Sequence, residues 1–274
     1  MFLLNAHRPR KRFGQNFLKD AGVCRAIVEA VAPLAGDCLV EIGPGLGALT
    51  GLLLQRLDHL HVVEIDRDLA ARLEARYPPK RLAVHTQDAL SFDFGQLASP
   101  GFRLRIVGNL PYNISTPLLF HLAHFADSVA DMHFMLQKEV VARMRAEPGG
   151  AEYGRLSVML QYRFRVEELF TVAPECFDPV PKVDSAVVRL LPKSVGVAGE
   201  STAISPEDFA LVVAAAFGQR RKMLRNTLAP FFTESELEEL GISPAWRAQN
   251  LSLADFVRLS NHLSRRGNLA SNEP

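Results

Sequence analysis

Between residues 21 and 192, short runs rich in β-forming residues alternate with stretches of helical periodicity. This alternation restricts the fold more than any other feature, because strands joined by helices form βαβ units with a mainly parallel sheet. Strands are predicted at 38–42, 61–65, 82–86, 105–108 and 132–136, and helices at 46–57, 67–77 and 115–125. Two later runs, 163–172 and 185–191, extend the sheet as a partly antiparallel pair. The sequence therefore predicts an α/β fold.

A change of composition follows Pro192. Residues 193–204 are small, polar and glycine-containing, as in a linker, and only helical patterns follow, at 206–217, 219–231, 235–240 and 253–263. Ser205 and Pro206 are typical of a helix N-terminus. We therefore predict a basic cap segment at 1–20, an α/β domain at 21–192, a linker at 193–204 and a smaller all-α domain at 205–274. The single tryptophan, Trp246, is expected to pack inside that smaller domain.

Composition excludes several classes of protein. The chain is 48% hydrophobic and 22% charged, which excludes global disorder. Its three cysteines are far apart, which excludes a disulfide scaffold and a cysteine-type zinc site, and we predict no metal. No apolar stretch has the length of a membrane span, and the N-terminus does not have the pattern of a signal peptide. We therefore expect a cytoplasmic protein that is not bound to a membrane.

A glycine-rich turn, Glu41-Ile-Gly-Pro-Gly-Leu-Gly47, joins the first predicted strand to a helix. Gly43 and Gly45 allow a tight turn and a close approach of the backbone to a ligand. These glycines also fit a dinucleotide-binding fingerprint, so NAD remains an alternative. However, Glu41, Glu64 and Asp88 each lie at or near a strand end. Three acids around one cleft suit the sulfonium and amino groups of S-adenosylmethionine better than a pyrophosphate.

The fourth predicted strand runs into Gly108-Asn-Leu-Pro-Tyr112 at the same sheet edge. Pro111 has a fixed φ angle and favours an extended Leu110, so the Asn109 amide and the Leu110 carbonyl are held in place. These groups offer acceptors to an amino group, and Tyr112 offers a flat surface for a base. We therefore expect a loop that positions an exocyclic amine for methyl transfer, without a dedicated general base.

The net charge is only +1, but two basic clusters interrupt the even distribution of charge. Arg10, Lys11 and Arg12 form the first, and Arg220, Arg221, Lys222 and Arg225 form the second. Basic clusters near a cleft are typical of phosphate binding, although each alone also fits a solvated surface. An adenine in a duplex has to leave its stack to reach such a cleft, so base flipping or a single-stranded target is expected.

Taken together, these motifs resemble the N6-adenine ribosomal RNA dimethyltransferases of the KsgA/Erm family, over residues 8 to about 260. The resemblance rests on the glycine turn, on the Asn109–Tyr112 loop and on further blocks: Lys11-Arg-Phe-Gly-Gln-Asn-Phe-Leu18, Gln137-Lys-Glu-Val140, Tyr153-Gly-Arg-Leu-Ser-Val158 and Phe177-Asp-Pro-Val-Pro-Lys-Val-Asp-Ser-Ala-Val187. Phe217-Gly-Gln-Arg-Arg-Lys-Met-Leu-Arg-Asn-Thr-Leu228 resembles the KsgA branch in particular. The resemblance implies a Rossmann-like class I methyltransferase sheet with a C-terminal helical domain that binds RNA.

The resemblance also implies roles for individual residues. Asn16 and Leu18 would close over S-adenosylmethionine, Gly43 would face its methionine portion, Glu64 its ribose and Asp88 its adenine. Asn109 would lie beside the cofactor and the target amine, and Tyr112 and Phe177 would bracket the extruded base.

The implied reaction is dimethylation of two adjacent adenosines near the 3′ end of 16S rRNA, during assembly of the small ribosomal subunit. The implied partner is the immature subunit, with no obligate protein partner. Three alternatives remain at this stage: an Erm-type enzyme that modifies large-subunit RNA, an assembly factor that only binds nucleic acid, and an NAD-dependent dehydrogenase.

Overall fold

The computed structural model describes residues 15–98, 103–193 and 202–270. These residues form two compact units. The first comprises the described residues up to Val141 together with Val166–Pro192, and the second comprises Ala142–Arg165 together with the described residues from Lys193 onward. The prediction had placed 142–165 in the α/β domain. The structure corrects that boundary, because Tyr153 and Val158 pack in the core of the second unit.

The strands, in chain order, are β1 (Phe17–Leu18), β2 (Cys38–Ile42), β3 (Leu60–Val63), β4 (Leu82–His85), β5 (Leu104–Asn109), β6 (Val129–Gln137), β7 (Phe164–Val172), β8 (Phe177–Asp178) and β9 (Ser185–Pro192). Seven of them form one sheet in the order β4-β3-β2-β5-β6-β9-β7, and β1 pairs with β8 separately. Strands β2 to β6 run parallel to one another, whereas β9 runs antiparallel to β6. The predicted α/β class and parallel-rich sheet are thus confirmed.

The helices are α1 (Ala21–Val31), α2 (Thr50–Leu53), α3 (Arg67–Arg76), α4 (Ser115–Ala123), α5 (Lys138–Arg145), α6 (Arg155–Arg163), α7 (Pro206–Phe217), α8 (Leu224–Thr227), α9 (Glu234–Glu239) and α10 (Leu253–Ala270). Helix α2 is much shorter than the predicted helix at 46–57. The reason is local: Gly47 has a φ angle of +83° and its amide donates to the Pro44 carbonyl, so the chain is still turning there.

A partly buried arginine connects α1 to the sheet. The Arg105 guanidinium donates to the carbonyls of Val31 and Ala32 at the end of α1, and it forms ion pairs with Asp37 at 2.7 Å and Asp131 at 2.8 Å. Carbonyls at a helix C-terminus lack partners within the helix, and a cation there is favoured by the helix dipole. Arg105 therefore holds α1 across the ends of two neighbouring strands.

The second unit has its own apolar core, formed mainly by α7, α10 and the residues Tyr153 and Val158. The Tyr153 hydroxyl donates to the Leu251 carbonyl at 3.0 Å inside this core. The predicted helix at 219–231 is wrong at both ends: Met223 has an extended backbone, α8 begins only at Leu224, and it already ends at Thr227. Thus the basic residues before Met223 lie on a turn and not on a helix.

Candidate active site

A cavity of about 330 Å³ lies where β2, β3 and β5 end. This is the edge at which open α/β sheets bind ligands, and the volume is at the lower end of the range for small-molecule sites. All of the predicted cofactor residues line it: Asn16, Leu18, Gly43, Gly45, Glu64, Asp88 and Asn109. The predicted catalytic loop residues Leu110, Pro111 and Tyr112 line it too. The structure therefore brings ten residues from distant parts of the sequence to one place.

The glycine turn forms the floor of this cavity because of its unusual backbone. Gly43 and Gly45 have φ angles of +64° and +57°, a region that side chains rarely adopt. A Cβ atom on Gly45 would also come within 3.0 Å of the Phe17 ring. Any larger residue at position 45 would thus strain the turn and displace Phe17 of β1.

Glu64, at the end of β3, both braces the turn and faces the cavity. Its carboxylate accepts hydrogen bonds from the amides of Gly45 at 3.2 Å and Asp66 at 2.9 Å. Burial raises the pKa of Glu64, although these two amide hydrogen bonds act in the opposite direction. Asp66 then caps α3 by accepting from the Asp68 amide. The acidic end of β3 is therefore fixed in position before any ligand binds.

Glu41 is the most strongly perturbed acid in the cavity. It is 2% exposed, and its Oε2 accepts a hydrogen bond from the Thr50 hydroxyl at 2.7 Å. Burial, together with the nearby Glu64 carboxylate, raises the pKa of Glu41 to about 7 despite that hydrogen bond. A buried acid of this kind gains from a cationic ligand, because a positive charge favours its ionised form.

The walls include apolar residues that the sequence analysis did not single out. Ile65 is 43% exposed and Leu46 is 47% exposed, and both line the cavity. Large apolar side chains directly after the acid of β3 and inside the glycine turn offer surface to a flat, apolar ligand group. Because Ile65 directly follows Glu64 and Leu46 directly follows Gly45, the sequence could have indicated that both line the cavity. Asp88 completes this side, and its Oδ1 accepts from the Leu90 amide at 2.9 Å.

The loop after β5 is held rigidly. The Asn109 Nδ2 donates to the Asn16 carbonyl at 2.9 Å, and the Leu110 amide donates to the Met135 carbonyl at 3.2 Å. Within the described part of the chain, no donor reaches the Asn109 Oδ1. Just before this loop, a Cβ atom on Gly108 would lie 2.6 Å from the Ile42 carbonyl oxygen, so β5 can approach β2 here only as glycine.

Tyr112 is half-buried at the rim, and its position depends on a distant residue. Its hydroxyl is 2.7 Å from the Ser185 Oγ at the start of β9. Burial raises the pKa of Tyr112, so its phenol is neutral at physiological pH. Ser185 lies 73 residues after Tyr112, so nothing in the sequence near Tyr112 indicates this contact.

Phe177 is not where the predicted stacking role requires it. Its side chain is 0% exposed and belongs to the core of the first unit, and its backbone pairs with Leu18 between β8 and β1. In this arrangement the ring has no free face for a base, so the structure brings only Tyr112 of the predicted pair to the cavity. Leu18, by contrast, lines the cavity.

The basic residues of the second unit differ from one another. Arg220 donates to the backbone carbonyls of Ala151 and Tyr153, so it has a structural contact within its own unit. Arg221, Lys222 and Arg225 have exposed side chains. The predicted RNA-binding residues Arg10, Lys11 and Arg12 lie outside the described residues.

The described residues contain neither a metal-site cluster nor a membrane-spanning helix. Among residues 15–98, 103–193 and 202–270, no cluster of three or more His, Cys, Asp or Glu side chains has the arrangement of a metal site. No helix in the described ranges combines the length and the apolar character that a bilayer span requires.

This chain is similar to known proteins over nearly its whole length. The model of the family described as "Ribosomal RNA adenine dimethylase" matches residues 6–265. Proteins named "Ribosomal RNA small subunit methyltransferase A" are similar: that of Thiobacillus denitrificans is 60% identical over 95% of this chain and all of its own length, and that of Dechloromonas aromatica is 59% identical with the same coverage.

Two solved structures extend this likeness to the fold. A dimethyladenosine transferase from Plasmodium falciparum is 27% identical, with a TM-score of 0.75 over 92% of this chain and 98% of its own. The 23S rRNA methyltransferase ErmE is 25% identical, with a TM-score of 0.64 over 91% of this chain and 100% of its own.

Proposed function

The chain belongs to the ribosomal RNA adenine dimethylase family, and from that membership we propose its reaction in detail. It transfers methyl groups from S-adenosylmethionine to N6 of two adjacent adenosines near the 3′ end of 16S rRNA. The substrate is the RNA of an immature small subunit in the cytoplasm, and no obligate protein partner is needed. The observation that carries this proposal is the meeting of the Asn109–Tyr112 loop with three buried or half-buried acids at one cavity.

The described residues fit S-adenosylmethionine. The glycine turn leaves space that a Cβ atom would fill, and Ile65 and Leu46 offer apolar surface for a flat ring. Glu64 and Asp88 offer carboxylate oxygens for hydroxyl and amino groups, and Glu41 favours a ligand with positive charge. When bound, this cofactor supplies a methyl group that is already activated by its attachment to a sulfonium.

Positioning is the task left to the protein. The exocyclic amine of adenine is a poor nucleophile because its lone pair is shared with the ring. The Asn109 amide is oriented by its hydrogen bond to the Asn16 carbonyl, which leaves Oδ1 as a free acceptor for an N–H of that amine. The Leu110 carbonyl offers a second acceptor. Two fixed acceptors orient the nitrogen without any movement during the reaction.

The target base needs a surface outside its own helix. Tyr112 provides an aromatic face at the rim, held by its hydroxyl contact with Ser185. Stacking on such a ring offsets part of the free energy that an adenine loses when it leaves its neighbours. Because Phe177 is buried, we assign this stacking to Tyr112 alone.

The test uses unmethylated small ribosomal subunits and labelled S-adenosylmethionine, followed by digestion and mapping of the modified nucleosides. We expect N6,N6-dimethyladenosine at two neighbouring positions near the 3′ end. Asn109→Ala should lower the rate about 100-fold, because it removes a fixed acceptor from the reacting amine. Gln55→Ala, which changes an exposed amide outside the cavity, should retain full activity.

The same assay separates the alternatives. Label on large-subunit RNA and none on small subunits would replace this proposal with an Erm-type reaction. No label on either particle, with binding of S-adenosylmethionine intact, would leave a factor that only binds RNA. Full activity of Asn109→Ala would refute the role given to the loop.

A further inference from the structure

The only tryptophan of the chain lies on the surface of the second unit. Trp246 is 43% exposed, so the expectation that it packs inside this unit is wrong. Met223, another large apolar residue, is 36% exposed close by. An exposed indole is uncommon on a surface without a partner, because burying an aromatic side chain is strongly favourable.

Two backbone hydrogen bonds hold the backbone at Trp246 beside residues 218–223, which we call the basic turn. The Leu224 amide donates to the Trp246 carbonyl at 2.7 Å, and the Arg225 amide donates to the Pro244 carbonyl at 3.0 Å. The segment that carries Trp246 therefore runs directly alongside the start of α8. Leu224 itself is fully buried and anchors this junction in the core. As a result, the backbone segments that carry the indole and the basic side chains are held next to each other.

The two chain segments that carry the indole and the basic turn hold charges of a single sign. Arg221, Lys222, Arg225 and Arg247 are all exposed, and none of them has an ion-pair partner among the described residues. No Asp or Glu occurs at 218–233 or at 240–254. On α9, by contrast, the Glu236 carboxylate forms an ion pair with Arg266 at 2.6 Å. The surface around Trp246 thus joins a flat aromatic group to unpaired cations.

We propose that Trp246 is a stacking platform for an unpaired base of the RNA substrate, while Arg221, Lys222, Arg225 and Arg247 contact the flanking phosphates. RNA is favoured over a protein partner because phosphates match this excess of positive charge, and unpaired bases stack on aromatic rings. The proposal rests on the proposed function, since it assumes an RNA substrate. It names a second RNA contact, carried entirely by the second unit, that does not touch the reacting atoms.

The chemistry predicts two separable contributions. Loss of a base stacked on an aromatic ring weakens binding by about 5-fold to 100-fold with little dependence on salt. Loss of one phosphate contact instead lowers the slope of log affinity against log salt by about one. Changes at Trp246 and at Lys222 should therefore differ in their salt dependence.

Because the chain has one tryptophan, its fluorescence reports on this site alone. We would titrate the full chain with a transcript of the 3′-terminal region of small-subunit rRNA, including its unpaired linkers. The expected result is quenched emission, protection of the indole from acrylamide, and at least 5-fold weaker binding of Trp246→Ala with an unchanged salt slope. Trp246→Phe should bind nearly as the wild type does, because an aromatic face remains.

The matched control is Leu211→Ala on α7, where an apolar side chain of similar exposure, 45%, has no such position in the basic turn. Its affinity for the transcript should be unchanged. Wild-type affinity of Trp246→Ala, or unquenched emission in a protein saturated with RNA, would overturn the proposal. A change of emission that follows protein concentration without RNA, together with a larger mass in sedimentation that is lost in Trp246→Ala and kept in Leu211→Ala, would assign the surface to self-association instead.

Methyl transfer measured on the same preparations separates this inference from the proposed function. If the wild type methylates small subunits and Trp246→Ala raises KM for the particle at constant kcat, both proposals stand. If methylation is normal and Trp246 does not respond to RNA, only the stacking proposal fails. If Trp246 responds to RNA but no methyl transfer occurs, the proposed reaction fails and the RNA contact remains.

Discussion

Replacing Glu41 with glutamine should stabilise the free protein at alkaline pH. The raised pKa of Glu41, about 7 against an ordinary value of 4.5, means that the native state binds this proton more tightly than the unfolded chain does. The resulting stabilisation is complete below the unfolded value and is lost as the pH rises from about 4.5 through about 7. The difference corresponds to about 3 kcal/mol at 1.36 kcal/mol for each pKa unit. Glutamine has no such charge, and its carbonyl can still accept from the Thr50 hydroxyl.

Urea denaturation of the ligand-free protein at pH 4.5 and pH 8 would measure this effect. We expect the free energy of unfolding of Glu41→Gln to exceed that of the wild type by about 3 kcal/mol more at pH 8 than at pH 4.5. Glu29→Gln, at an exposed position on α1, should show no such change with pH. An equal difference at both pH values would refute burial of a carboxylate as the cause.

The same residue should make cofactor binding depend on pH. If the ionised form binds the cationic ligand, about one tenth of the protein is competent at pH 6 and about nine tenths at pH 8, given a pKa of about 7. The affinity of the wild type for S-adenosylmethionine should therefore fall about tenfold between pH 8 and pH 6. Calorimetry of Glu41→Gln should show weaker binding with a smaller pH dependence. Protonation of the ligand's own groups affects the binding of both proteins equally, so it does not contribute to the difference between them. Equal pH dependence in the two proteins would contradict the role given to Glu41.

Two further substitutions test how the site is supported. Gly108→Ala should destabilise the fold by about 1–3 kcal/mol, because its Cβ would lie 2.6 Å from the Ile42 carbonyl, whereas Gly36→Ala, with open space around it, should be nearly neutral in the same thermal scan. A stable Gly108→Ala would disprove the close approach. Arg105→Met should cost up to about 3 kcal/mol at neutral pH, because it leaves the partly buried carboxylates of Asp37 and Asp131 unpaired. Burial acts to raise the pKa of Asp131, but its contact with His133 and its ion pair with Arg105 lower it overall, so the ion pair stabilises above that lowered pKa. The cost of Arg105→Met should thus shrink when urea denaturation is repeated at about pH 3, and a cost independent of pH would contradict the ion pair.

Much of the cofactor side of the cavity could be predicted from local sequence. The glycine turn, Glu64 and Asp88 each lie within a few residues of a strand end, and parallel strands bring those ends to one edge. The predicted helix limits were less accurate near Gly47 and Met223. A residue with a positive φ angle or an extended backbone interrupts the helix at these positions, although the hydrophobic pattern of the sequence continues past it.

The sequence by itself determined the α/β class, the sheet edge at which the cavity lies and the loop after β5 that lines it, because these follow from periodicity and backbone stereochemistry within short segments. The tertiary structure decided which aromatic residue meets the cavity and which is buried, since Tyr112 depends on Ser185 and Phe177 on the pairing of β8 with β1. It also decided that 142–165 belongs to the second unit and that Trp246 is exposed beside the basic turn. Contacts between residues far apart in the chain depend on how all the elements pack together, and no local pattern specifies them.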